Sequence, residues 1–165
     1  MMHVLKYLVT FAATIPLLLL PAHNDSSPQS PRESDVAVVV NGDTPVTDLS
    51  LSEVRNLFLG EKQYWNAKLP VVLLIRGPVS RERDVVLRVV YQMTEVQFNR
   101  YWVAKAYRAE VTAGPRIVYS SDLQYELVSA MPGAIAFVDS RSVRPGVKVV
   151  RVDGALPGDK NYPLR

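Results

Sequence analysis

The sequence predicts an α/β domain in which a small mixed or mainly parallel sheet is flanked by helices. Three observations lead there. Short apolar, β-branched runs recur along the chain, as AVVVN (37–41), VVLLI within PVVLLIRG (70–77), AIAFV (134–138) and VKVVRV (147–152). Between them lie amphipathic stretches opened by capping residues and closed by Gly or Pro. Strands alternating with helices then favour layers built on one sheet.

The elements follow in order. The run 37–41 reads as a buried strand leaving through the turn Asn41-Gly42-Asp43, with Asp43 and Asp48 shaping that turn. In SLSEVRNLFLG, Ser50 and Glu53 form a capping box and Gly60 a stop, so a helix is expected over 51–59 with Leu51, Val54, Leu57 and Phe58 on its apolar face. A second buried strand occupies 70–77 and is broken by Gly77-Pro78. After Ser80 the signals conflict: Val85, Val86, Val89 and Val90 favour strand, whereas the charged run Arg81 to Asp84 favours a helix start. Thr94 and Gln97 make another capping box, for a helix that aligns Phe98, Tyr101, Trp102 and Ala106. Gly114-Pro115 ends it, and 116–119 is briefly extended. Ser121 with Gln124 is expected to cap a short helix in which Leu123 and Leu127 are one turn apart, stopped by Met131-Pro132-Gly133. The last two strands are separated by a turn at Pro145-Gly146.

The front of the chain is different. Residues 1–23 read as a signal peptide or an uncleaved anchor: His3 and Lys6 precede an unbroken apolar run from Tyr7 to Leu20, and Pro16 and the shortness of the run favour removal. Residues 24–35 are rich in Ser, Pro and charge and read as a flexible linker, which leaves 36–165 as a single domain. The expected location is therefore exported, periplasmic or envelope-associated. Cysteine is absent from all 165 residues, which removes disulfides, thiol catalysis and thiolate metal sites.

The formal charge of +3 falls to +2 once Lys6 leaves with the leader, since 18 basic residues then face 16 acidic ones. That balance is too mild for nucleic-acid binding. Both histidines, His3 and His23, lie in the leader, so the domain has none to act as base or ligand, and a catalytic triad is excluded. The carboxylates Glu53, Glu61, Glu82, Asp84, Glu95 and Glu126 fall on caps or polar faces. No enzyme, cofactor or metal site is expected.

One stretch carries a candidate binding site, RGPVSRERD (76–84). A helix opening at Ser80 presents unpaired N–H groups and a partial positive charge, Ser80 adds a hydroxyl, and Arg76, Arg81 and Arg83 offer guanidinium groups to an oxyanion. The competing reading is an ordinary cap, with Glu82 and Asp84 answering the helix dipole and pairing with neighbouring arginines, including Arg76 or Arg88. Tyr64 and Trp65 either rim a pocket or pack a helix end.

Taken in order, LSLSEVRNLFLG...W (49–65), VVLLIRGPVSRERD (71–84), the Tyr101-Trp102 pair, Gly114-Pro115 and PGAIAFV (132–138) resemble phosphate-type periplasmic substrate-binding proteins of ABC transporters, in a short, single-lobe exported form. The resemblance implies a type II periplasmic binding fold, whose two α/β lobes close on an oxyanion held by helix N-termini and hydroxyls. It also implies that only one lobe is present. It resolves the valine-rich 85–90 as helix. Ser80 corresponds to the serine of the family's Ser-Gly-Thr loop, though Gly-Thr does not follow, and Arg83 to an arginine of that helix's first turn. Ala136 and Phe137 replace a glycine and a tyrosine, while Trp65 and Trp102 fall on structural aromatic positions.

The function this implies is non-enzymatic binding of phosphate or another small oxyanion through Ser80, Arg81, Arg83 and Arg76. The alternative is an envelope protein-interaction module that reuses the lobe without a solute. Candidate partners are a second lobe, a second copy of the chain, an envelope protein or an ABC permease.

Overall fold

The computed structural model describes residues 34–165. The leader assigned to 1–23 and the linker assigned to 24–35, except Ser34 and Asp35, lie outside the described residues. Those two residues pack onto the domain. Ser34 is buried, the Asp35 carbonyl accepts from Ser140 N, and its carboxylate accepts from Gly158 N at 2.6 Å.

The elements are β1 (Val36–Asn41), β2 (Asp48–Leu49), α1 (Leu51–Phe58), β3 (Val72–Arg76), α2 (Arg81–Val85), α3 (Glu95–Tyr107), β4 (Arg116–Val118), α4 (Ser121–Ala130), β5 (Ala134–Asp139), β6 (Val147–Val149) and β7 (Arg151–Val152). Five strands form one sheet in the order β4-β3-β5-β1-β6, and β2 and β7 form a small parallel pair. The sheet is mixed. β3 runs parallel to both β4 and β5, whereas β1 runs antiparallel to β5 and β6.

Alternation along the strands sorts the core into two layers. Val36, Val38, Val40, Leu73, Ile75, Ile135 and Phe137 point to the face covered by α1, α2 and α3. Ala37, Val39, Leu74, Ala134, Ala136 and Val138 point to the other, where Tyr125 and Val128 of α4 pack. Two of the three residues that β5 contributes to that second face are alanines. Asn41 ties β1 to the end of α4, donating through Nδ2 to the carbonyls of Val128 (2.9 Å) and Ser129 (2.8 Å), two of the acceptors a helix C-terminus leaves unpaired.

Both capping boxes form as expected, Ser50 with Glu53 and Thr94 with Gln97. The Ser50 N–H and hydroxyl hold the Glu53 carboxyl below its ordinary value. Three details depart from expectation. The cap of α4 is Ser120, whose Oγ accepts from Leu123 N, so the buried face of that helix is Gln124, Tyr125 and Val128, and Leu123 is exposed. On α3 it is Lys105 that is buried, while Ala106 is exposed. The run 147–152 divides at the buried Val150, because β6 pairs with β1 and β7 with β2.

The ambiguous valines are helical. After α2 the chain widens into a π-helical segment, Val86–Tyr91, and reverses at Gln92, which is left-handed with φ 54°. The extra residue of a π turn lets Val86, Leu87, Val90 and Tyr91 all reach the core. Tyr91 joins an aromatic series that crosses this layer, Phe137 to Phe58 (4.4 Å between ring centres), Phe58 to Tyr91 (6.3 Å), Tyr91 to Phe98 (4.9 Å) and Phe98 to Trp102 (6.4 Å). Burial pushes the Tyr91 hydroxyl well above its ordinary value.

Candidate functional site

The loop Gly77–Ser80 leaves the C-terminal end of β3 and turns directly into α2, the position where open α/β sheets bind ligands. Gly77 is buried, Val79 stands fully exposed in a left-handed conformation (φ 70°), and the exposed ring of Tyr119 lies against Gly77.

Ser80 caps α2. Its hydroxyl donates to the Gly77 carbonyl at 2.9 Å and accepts from Arg83 N at 3.3 Å, while its own carbonyl takes the Asp84 N–H. Arg83 is 1% exposed, and its guanidinium meets Glu95 in a two-pronged ion pair, Nε to Oε2 at 2.8 Å and Nη2 to Oε1 at 2.6 Å. Its Nη1 donates to the Arg76 carbonyl at 2.9 Å, and its Cζ sits 4.7 Å from the centre of the Phe98 ring. The hydrogen bonds from Arg83 hold the Glu95 carboxyl below its ordinary value. Arg83 thus joins the end of β3, the first turn of α2 and the first turn of α3.

Arg76 and Arg81 remain half-buried beside the loop. Arg76 donates through Nη1 to the Val118 carbonyl at 3.2 Å, and its Nε is buried without a hydrogen-bond partner among the described residues. The four residues singled out in the sequence are thus gathered at one end of β3, with Ser80 and Arg83 engaged in holding the fold. Among the described residues no group of His, Asp and Glu is arranged to hold a metal ion.

A concave feature lies at the other end of the same strand. Leu57 from α1, Leu73 from β3 and Trp102 from α3 line a half-open cavity of about 290 Å³, with Lys62, Tyr64 and Arg116 among the residues around it. Tyr64 is exposed there, whereas Trp65 turns inward and donates through Nε1 to the Gly133 carbonyl at 2.8 Å. Sequence reasoning did not identify this cavity, since its walls come from segments far apart in the chain. The only local sign of it was the Tyr64-Trp65 pair.

A five-stranded mixed sheet covered on both faces, with a capped helix at the C-terminal end of an inner strand, is a fold shared with part of the phosphate-type substrate-binding proteins. Three solved structures give the comparison. A phosphate ABC transporter substrate-binding protein with bound phosphate from Clostridium perfringens is 22% identical, with a TM-score of 0.64 over 79% of this chain and 52% of that one. An ABC-type phosphate transport receptor from Vibrio cholerae is 20% identical, with a TM-score of 0.61 over 75% and 48%. PstS from Borrelia burgdorferi is 14% identical, with a TM-score of 0.62 over 79% and 54%. The likeness is one of fold, and the chain spans about half the length of the structures it matches. No family model and no curated protein matches the chain.

Proposed function

We propose that the chain is an exported, non-enzymatic solute-binding-like domain that takes phosphate or another small oxyanion at the Gly77–Ser80 loop. Arg76 and Arg81 supply the charge, and Ser80 and Arg83 shape the turn that presents them. The observation that carries this reading is the unpartnered, buried Nε of Arg76 at the carboxyl end of β3. A buried guanidinium N–H without an acceptor is costly, and an oxyanion oxygen would satisfy it. The match to about half of each phosphate-type structure supports half of a cleft, completed by a second lobe, a second copy of the chain or another envelope protein, with an ABC permease as a downstream partner.

A specific observation also favours the second reading, an envelope interaction module without a solute. The Ser80 hydroxyl and the Arg83 guanidinium are already bonded within the fold, and the loop is flanked by the exposed apolar side chains of Val79 and Tyr119. Thermal melting in phosphate, sulfate and small organic anions separates the two. Solute binding predicts a rise in Tm with phosphate, amide NMR shifts confined to 76–83, and loss of both in Arg76→Gln. If millimolar phosphate moves neither Tm nor those amides, the solute reading fails and the interaction module stands.

A further inference from the structure

We propose that the cavity at the N-terminal ends of β3 and β4 is a second binding site, for a small organic acid that pairs a carboxylate with an apolar or aromatic body. The site is separate from the Ser80 loop, because β3 runs between them.

The lining decides the ligand class. Its volume, about 290 Å³, lies at the lower end of the range for small-molecule pockets. The floor is apolar and comes from three elements, through Leu57, Leu73 and Trp102. Two cations, Lys62 and Arg116, border it, and none of the described residues lining it is acidic. Neighbouring acids are engaged elsewhere: Glu61 and Glu110 each approach the buried Lys105, at 3.8 and 3.9 Å, Glu110 also bonds Arg108, and Glu53, which feels the charge of Lys62, is bonded to Ser50. A bare inorganic anion would meet the cations but leave the apolar floor against water. A neutral hydrocarbon would fill the floor and gain nothing from the two exposed cations, of which Arg116 otherwise reaches, among the described residues, only the Met131 sulfur, at 3.8 Å. A carboxylate on a ring or branched chain satisfies both.

The walls are built before any ligand arrives. Gln63 Nε2 donates to the Glu110 carbonyl at 3.0 Å, joining the two loops that form the rim. The carbonyl of Gln63 accepts from Val71 N at 2.8 Å, and Trp65 N donates to the Leu69 carbonyl at 2.8 Å, which closes the 63–71 segment on itself. Trp102 is held edge-on by Phe98 and Tyr101. A preformed apolar floor bordered by a few polar groups is the usual form of a small-molecule site.

The test is titration of the chain with benzoate, benzyl alcohol and inorganic phosphate, followed by backbone amide NMR. Benzoate is expected to shift Thr112, Ala113 and Arg116 saturably. The double variant Lys62→Gln/Arg116→Gln should weaken benzoate by about three- to tenfold, as expected for two exposed charges, and leave benzyl alcohol unchanged. Both side chains are exposed, so the variant retains the fold. The proposal is overturned if benzoate gives no saturable shift, if benzyl alcohol binds the parent chain as tightly as benzoate, or if phosphate moves the same three amides as strongly. Because phosphate binding at the loop reads out at 76–83, failure of one site leaves the result for the other intact.

Discussion

The two ends of β3 use similar side chains in opposite ways. At the C-terminal end, charges that look ready for a ligand are turned inward: Arg83 bonds Glu95 and the Arg76 carbonyl, and Ser80 bonds Gly77. At the N-terminal end, Lys62 and Arg116 border an apolar hollow that no carboxylate among its described lining residues answers. Charge at a helix start therefore says little about binding until its hydrogen bonds are traced. A buried guanidinium must find acceptors, and for Arg83 the fold supplies them, whereas the Nε of Arg76 is left without one among the described residues. The loop end is held by an ion pair, the cavity end by backbone contacts, and five variants test that division.

The largest effect is expected beside the cavity. Gly133 has φ 79°, and a Cβ there would lie 2.1 Å from the Pro70 carbonyl oxygen, a backbone atom of the cavity wall. Gly133→Ala should cost about 3 kcal/mol or more, combining left-handed strain with a displaced wall. Urea unfolding measures it, and a loss under about 1 kcal/mol would show that the wall yields easily.

At the loop end, Glu95→Ala leaves the Arg83 guanidinium buried beside Phe98 without its partner. Breaking a fully buried pair costs about 3–5 kcal/mol, and the partial exposure of Glu95 lowers the expectation to about 2–3 kcal/mol. The double variant Arg83→Met/Glu95→Ala should recover part of that loss, because a buried ion pair exchanged for apolar packing is often nearly neutral. If the double variant is no better than Glu95→Ala, Arg83 is needed for its bond to the Arg76 carbonyl.

Much of this was legible in the sequence, and the rest for definable reasons was not. Caps are local, so the Ser50/Glu53 and Thr94/Gln97 boxes were read correctly, and the resemblance rightly made 85–90 helical. Adjacent serines defeated the same logic at α4, where Ser120 and Ser121 differ by one residue and the apolar face shifts with the choice. Strand direction is set by distant partners, so the antiparallel setting of β1 was hidden. The Arg83–Glu95 pair spans 12 residues and depends on the π segment and the reversal at Gln92, neither of which has a short-range signal here. The cavity escaped for the same reason on a larger scale.

The pair also sets a pH dependence. The folded Glu95 carboxyl is held below its ordinary value, so its contribution is complete above the unfolded carboxylate value of about 4.3 and is lost as pH falls through the lower folded value. Glu95→Gln should flatten this part of the acid limb while leaving the part due to Glu53, which is also lowered. An unchanged acid limb in Glu95→Gln would mean that the pair does not stabilise the folded state.

The smallest effect should come from the loop glycine. A Cβ on Gly77 would lie 2.5 Å from Tyr119 Cδ1, nearly as close as the contact at Gly133, yet the obstacle is a side-chain ring that is 76% exposed. That ring can swing into water, and Gly77 does not have the positive φ of Gly133. Gly77→Ala should therefore shift stability by no more than about 1 kcal/mol while changing the near-ultraviolet signal of Tyr119. If Gly77→Ala instead matches the loss in Gly133→Ala, Tyr119 is fixed in place, and the loop end is as rigidly built as the cavity end.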